Sequence, residues 1–571
     1  MRAHAPSRLA VCLALTIVAP TALAADPVVP QGNYRLVLVG PFSETDLILT
    51  QLGKKGDAFQ AQVLDTAPLP QPPQISQLSL SQEGALLMAL KIGNVDAIFT
   101  GTPRPDGNYR GMIRIAAQSF PAKVEKTTAV KVTPPLQEAP PVFQTFMKAR
   151  QEPDAKARTK SLQELVTKSP GDLTLSQVYA TLLQGAEAGG LDAGTVKTLL
   201  NQWLEGAKSY GDECLTTVSG QALTALAGQK AFADLALDLA RDVEKSLGAD
   251  APPQARAEVA RALAEAARAA GKVDLATEAE GRLAKLEEEL DAAYRKSIPP
   301  FKPERARDEA PRESKRVVLM ELFTGAQCPP CVAADVAFDA LHSVYEPTEL
   351  VTLQYHLHIP GPDPLTNGDT EKRMEYYPDF GGTPTTFFDG KNDAMGGGQL
   401  PASEAKFNQF RQVIDAALKA PARAEIDLKV NRDGDAVKIS ARASVSGPDE
   451  GDAGKIGGSQ PKLRLALVEE EVRYVGSNNL RFHHHVVRSM PGGVAGKAIT
   501  NGKGQTEVTV KLSELRQSLE TYLSDFVKEG RNFPKALPPI DLKKLKVVAF
   551  VQDDNDKAVL NAAMAEVPEA H

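Results

Sequence analysis

Hydrophobic and polar positions along this chain hold one period for a stretch and then change it. From residue 26 to about 133 the apolar runs are short and strand-like, at 34–39, 47–52, 58–64, 85–90, 96–101 and 109–115. Gly53-Lys54-Lys55-Gly56-Asp57 and Asp106-Gly107 supply turns between them. Short apolar runs separated by Gly/Asp turns predict an antiparallel meander, a small sheet or partial barrel. Beyond the proline-rich stretch 134–141 the period lengthens to that of a helix. Phe232, Leu235, Leu239, Val243 and Leu247 form one stripe, stopped by Gly248. A second helical pattern covers 254–270, breaks at Gly271 and resumes over 273–294.

The pattern changes again after Ile298-Pro299-Pro300-Phe301-Lys302-Pro303 and the charged run 304–316. Residues 317–323 read as a buried strand, and a helix starting near Cys331 turns Val332, Phe338, Leu341 and Val344 inward. A second strand covers 350–355. An insertion over 359–380 carries a polar helix near 369–377, and Thr383-Pro384 then leads into a strand at 385–388. The stretch closes on an amphipathic helix, 403–420, with Phe407, Phe410, Val413, Ile414 and Leu418 inward. Past Pro421 the alternation is that of strands once more. Ala424, Ile426, Leu428 and Val430 pair across the Asp433-Gly434 turn with Val437, Ile439, Ala441 and Ala443. A Gly/Asp loop (447–458), a strand near 463–467, a helix near 512–527 and a closing hairpin around 553–556 complete a sandwich-like antiparallel domain.

At 571 residues the chain is too long for one core, so several domains are expected. The patterns divide it into 1–24, 25–133, 134–300, 301–422 and 423–571. A net charge of -7 leaves no basic surplus to meet phosphates, which argues against a nucleic-acid partner. Residues 1–24 read as a secretory signal peptide. Arg2 and Arg8 precede an apolar run at 9–19 that is too short to span a bilayer, and Ala22-Leu23-Ala24 fits a cleavage site. No later segment has the length of a membrane span, so the expected product is exported to the periplasm or beyond.

Four cysteines carry the candidate chemistry. Cys12 lies within the signal run, and Cys214 is expected to be a buried free thiol in a helix. Cys328 and Cys331 form a C-x-x-C at a strand-to-helix junction, the spacing of a redox dithiol. Cys328, at the helix N-terminus, is the expected nucleophile, because the positive end of the helix dipole favours thiolate there. Cys331 resolves the mixed disulfide. Pro329 and Pro330 stiffen the turn and remove two N–H donors. In an oxidising compartment the pair rests as a disulfide. An inert structural disulfide and a metal site are the alternatives. His356 and His358 are the weak metal candidates, since two thiolates and a histidine suit Cu(I). His483-His484-His485 alternates sides if it lies in a strand, so its rings do not converge on one ion. Asp553-Asp554-Asn555-Asp556 lacks the glycine and distal glutamate of a calcium loop. No organic cofactor is expected.

Residues 315–420 resemble the thioredoxin fold: strand, C-x-x-C, helix, strand, insertion, x-Pro, strand, helix. The resemblance implies a cis-proline at Pro384, with Thr383 and Pro384 binding an extended substrate backbone beside the disulfide and Glu321 supporting the site. Gln327 stands where thioredoxins usually carry tryptophan, and the loop from Glu321 to Cys328 is one residue longer. Glu321-Leu322-Phe323-Thr324, Tyr355-His356, His484-His485-Val486-Val487-Arg488 and the closing run 548–552 are similar to secreted thioredoxin-like proteins, one group of which is named after an outer-membrane protein and has a C-terminal β-domain. The helical region, with breaks at Gly189, Gly228 and Gly271, resembles helical-hairpin repeats of the tetratricopeptide type. The expected fold is therefore multidomain α+β. A thioredoxin-like α/β domain is flanked by an N-terminal β domain, an α-helical hairpin region and a C-terminal antiparallel β domain. The expected function is an exported thiol–disulfide oxidoreductase acting on protein thiols and disulfides, with protein docking through the helical region. A non-catalytic envelope binding or assembly protein built on the same scaffold is the alternative, and a copper carrier a further one.

Overall fold

The computed structural model describes residues 29–569, apart from 57, 116–117, 137, 249–250, 305–314, 395, 446–459 and 536. The expected signal peptide, Cys12 and the Gly/Asp loop 447–458 lie outside the described residues. The chain forms two compact units, 1–290 and 291–571.

In the first unit, β1 (Gly32–Gly40), β2 (Ser43–Lys55), β3 (Ala58–Thr66), β4 (Gln74–Leu80), β5 (Leu86–Ile92), β6 (Val95–Pro103), β7 (Tyr109–Ile115) and β8 (Gln118–Lys126) form one antiparallel sheet. Its order is β3-β2-β1-β8-β7-β6-β5-β4, a near-barrel. Alternation drives it: Leu86, Met88 and Leu90 of β5 are fully buried against Phe99, Ile113 and Val124, while the residues between them face outward. The helices are α1 (Pro141–Gln151), α2 (Ala155–Lys168), α3 (Ser176–Gln184), α4 (Ala193–Lys208), α5 (Asp212–Leu226), α6 (Ala233–Ser246), α7 (Pro253–Ala269) and α8 (Val273–Ser297). Asp154 and Asp192 cap α2 and α4 through their carboxylates. Trp203 stacks on Tyr179 in the helical core, and Phe42 of the near-barrel packs against Phe143 and Phe146 of α1. Cys214 is buried in α5, as expected, and burial pushes its thiol up to about 12.

The second unit holds β9 (Val318–Thr324), α9 (Val332–Leu341), β10 (Leu350–His356), α10 (Gly368–Glu375), β11 (Thr385–Phe388) and α11 (Ser403–Ala417). They are followed by β12 (Ala424–Asp433), β13 (Ala436–Val445), β14 (Pro461–Arg473), β15 (Phe482–Ser489), β16 (Lys497–Ala498), β17 (Lys503–Lys511), α12 (Leu512–Lys528), β18 (Leu545–Asp553) and β19 (Val559–Glu566). β9 pairs in parallel with β10 and antiparallel with β11. α9 and α11 cover one face, on Val318, Met320 and Leu322; the other face buries Leu319, Phe323 and Tyr355. This is the thioredoxin-like arrangement. The sheet does not stop at residue 422, because β10 meets β15 in parallel at Gln354 and Val486. The full order is β11-β9-β10-β15-β14-β18-β19, with β16 on β14. Strands from the segments 301–422 and 423–571 thus share one sheet, and β12-β13-β17 forms a second one over it.

Candidate functional site

β9 sets the site by its alternation. Its fully buried residues end at Thr324, and the chain then turns sharply into the cysteine loop. Gly325 allows that turn: a side chain there would meet the carbonyl oxygens of Ile359 at 2.7 Å and Leu357 at 3.1 Å. Asp363 fixes the next residue, its Oδ2 accepting the Ala326 N–H at 2.6 Å. Pro329–Cys331 forms one tight 3-10 turn that runs straight into α9. Cys328 and Cys331 are joined as a disulfide with Cα atoms 5.3 Å apart. Pro329 and Pro330 are exposed, whereas the two cysteines are 1% and 0% exposed.

The insertion and β11 bring Thr383 and Pro384 to the pair. The Thr383–Pro384 peptide is cis. Thr383 Oγ1 lies 3.5 Å from Cys328 Sγ and donates to Ile359 O at 3.2 Å, and Thr383 O is 3.7 Å from the same sulfur. The structure therefore brings Cys328, Cys331, Pro329, Pro330, Thr383 and Pro384 together. Gln327, in the tryptophan position, is buried. Its Nε2 donates to Tyr474 Oη at 3.3 Å, and its Oε1 accepts the Ser477 N–H at 3.2 Å. Asn478 N–H donates to Ala326 O at 3.1 Å, so the loop between β14 and β15 walls one side of the site.

Glu321 lies elsewhere. It shares its face of β9 with Leu319 and Phe323, opposite α9. There Arg373 of α10 donates to both of its oxygens at 2.8 Å, with Tyr377 alongside and Gln552 bonded to the guanidinium. Burial raises the Glu321 carboxyl, but the Arg373 charge together with the hydrogen bonds from Arg373 and the tyrosines outweighs it and holds it below the usual range. The acid facing the α9 side is Asp335, one turn beyond Cys331. It accepts from Thr324 Oγ1 at 3.0 Å and from Gln354 Nε2 at 3.1 Å. Burial raises its carboxyl well above the ordinary value. The sequence carried a signal for it: a lone aspartate in the apolar helix start Val332-Ala333-Ala334-Asp335-Val336.

Both histidine metal candidates have their ring nitrogens engaged. His356 Nδ1 is 2.8 Å from Asp363 Oδ2 and its Nε2 is 3.2 Å from Gln354 Oε1. His358 Nε2 is 3.0 Å from Tyr522 Oη, its Nδ1 accepts the Asp363 N–H at 3.0 Å, and its ring stacks on Phe526. Burial pulls the His358 imidazole down to about 4. Burial also raises the Asp363 carboxyl, yet His356 and the Leu365 and Ala326 N–H groups hold it below normal. Among the described residues no group of three His, Cys, Asp or Glu side chains is arranged to hold a metal. The two histidines instead orient Asp363, which in turn orients the cysteine loop.

No family profile matches the chain, and no curated protein matches it. Among solved structures, HBP35 of Porphyromonas gingivalis is similar over 46% of this chain and 78% of its own, at 17% identity and a TM-score of 0.32. The thioredoxin-like reading rests on the strand order and the placement of the cysteine loop given above.

Proposed function

We propose that Cys328 and Cys331 form a thiol–disulfide exchange centre acting on protein thiols or disulfides in an exported protein. The observation that carries this reading is the disulfide in the turn that opens α9, with Thr383 Oγ1 3.5 Å from Cys328 Sγ. A substrate thiolate attacks Cys328 Sγ, the bond to Cys331 breaks, and Cys331 leaves as thiolate and takes up a proton. A second substrate thiolate then attacks the substrate sulfur of the mixed disulfide and releases Cys328. Two electrons pass from the two substrate thiols to the pair; the reverse sequence reduces a substrate disulfide. The signal-peptide pattern supports export, where the disulfide is the resting form, and the helical region offers a surface for docking protein partners.

Redox titration of the purified protein, with Cys328→Ser as control, tests the proposal. An exchange centre equilibrates with dithiol buffers well above about -300 mV, and Cys328→Ser abolishes insulin reduction or thiol oxidation. The near-complete burial of both cysteines favours a second reading, a structural disulfide on a binding scaffold. That reading requires a bridge that resists those buffers and behaviour unchanged by the substitution.

A further inference from the structure

The disulfide is buried although the turn carrying it is on the surface, and a short glycine segment between β11 and α11 lies against that turn. Gly398 N–H donates to Pro330 O at 2.6 Å, and Gly398 O accepts the Ala333 N–H at 2.9 Å. The segment is thus bonded reciprocally to the residue before Cys331 and to the first turn of α9. Gly397 lies between these contacts and the cis-proline. A Cβ on it would stand 2.0 Å from Pro330 O and 2.7 and 2.9 Å from Pro384 Cγ and Cδ. Only glycine fits, and it fits because the segment lies against both residues that flank the disulfide.

We infer that Gly396, Gly397 and Gly398 are a strap that closes the Cys328–Cys331 site and must lift before any thiol reaches Cys328. The inference rests on reading the pair as an exchange centre and adds its gate. Lifting gives up two backbone hydrogen bonds. It also frees the Ala333 N–H, a donor at the α9 N-terminus, in the step that generates thiolate. Three consecutive glycines suit a segment that changes backbone conformation without side chains to repack.

The test is the rate at which dithiothreitol reduces the resting protein. One of its thiolates attacks Cys328 Sγ, Cys331 leaves as thiolate, and the second thiolate closes the reagent's ring and releases Cys328. In Gly397→Ala the added methyl has no room under the closed strap, so reduction accelerates by about tenfold, the loss of one to two hydrogen bonds. Gly434→Ala, which strains the backbone of the remote β12–β13 turn at φ 56°, leaves the rate unchanged. Hydrogen exchange on the oxidised wild-type protein gives a second measurement that needs no variant: Gly398 N–H is protected. A Gly397→Ala rate equal to wild type, or a Gly398 N–H that exchanges as a free amide, overturns the strap. Exchange with reduced insulin, run in parallel, separates the two readings. If wild type and Gly397→Ala engage it equally fast, the strap falls and the exchange centre stands. If Gly397→Ala is reduced faster by dithiothreitol but neither protein engages insulin, the strap stands and the exchange centre falls.

Discussion

Thr383 carries two roles in one side chain. Its hydroxyl donates to Ile359 O and lies 3.5 Å from Cys328 Sγ, so a sulfur that becomes anionic can draw the proton to itself. Hydrogen bonds to charged groups are the stronger kind. Thr383→Val keeps the shape and removes the donor. In the reduced protein it slows alkylation of Cys328 by iodoacetamide at pH 7 about tenfold; an unchanged rate removes Thr383 from the chemistry. Glu321 has a different task. With Arg373 it forms a fully buried ion pair, and Glu321→Gln leaves the guanidinium without its counter-charge. Breaking such a pair costs about 3–5 kcal/mol, read as a lower urea midpoint with the disulfide intact. At this scale the chain showed Cys328, Cys331, Thr383 and Pro384 plainly, because the chemistry and the turn each need a particular residue type. Asp335 was marked only by its place in an apolar helix start, and Asp363 and Gly397 were hidden, because an aspartate or a glycine in sequence does not say what will surround it.

β15 is the element whose polarity misleads. Phe482-His483-His484-His485-Val486-Val487-Arg488-Ser489 looks half-solvated, yet the strand sits inside a sheet and each of its histidines is partnered within the fold. His483 packs on His356, His485 Nδ1 bonds Thr352 Oγ1 at 2.6 Å, and His484 lies between Asp339 and Glu471. They do not alternate as a regular strand would: His485, at φ 49°, breaks the period, and His484 and His485 both lie against His342 while His483 lies against His356. Burial, and then the His356 charge, pull His483 down to about 3; burial, and then Lys546, do the same to His485. Burial also lowers His484, but the Asp339 and Glu471 carboxylates outweigh it and push it up to about 10. The signs are opposite. His483 and His485 are neutral in the fold, so the stability they contribute is present above their unfolded value near 6.5 and is lost as pH falls below it, up to about 1.4 kcal/mol per pH unit for each. The His484 contribution is fully present below about 6.5 and fades as pH rises toward 10. The urea midpoint therefore peaks near neutrality. His485→Asn, whose side chain tolerates the φ of 49° at this position, flattens the acid limb by about half; an unaltered limb assigns the acid loss to other groups.

Across the whole second unit, the cysteine site depends on strands that lie far along the chain. Gln552 of β18 completes the Arg373–Glu321 network, Asn561 of β19 accepts the Val317 N–H at 2.9 Å, and Arg316 bonds the carbonyls of Val559 and Leu560. β10 would also lose β15 as a neighbour if the chain ended early. A chain of residues 291–571 should unfold in one cooperative transition, followed by circular dichroism in urea, while one ending at 422 should show no such transition. A cooperative transition in the shorter chain would make its thioredoxin-like part an independent domain. The sequence by itself determined the order of elements, the switches from period two to period 3.6, the paired cysteines and the Thr-Pro turn, because each is written within a few consecutive residues. Tertiary structure alone decided that one sheet runs through residue 422, that Asp335 rather than Glu321 lies on the α9 side, and that Gly397 and Gly398 lie against Pro330 between the cysteines. Those outcomes depend on which strand edges meet and which faces close, and segments from about ten to more than a hundred residues apart settle them jointly.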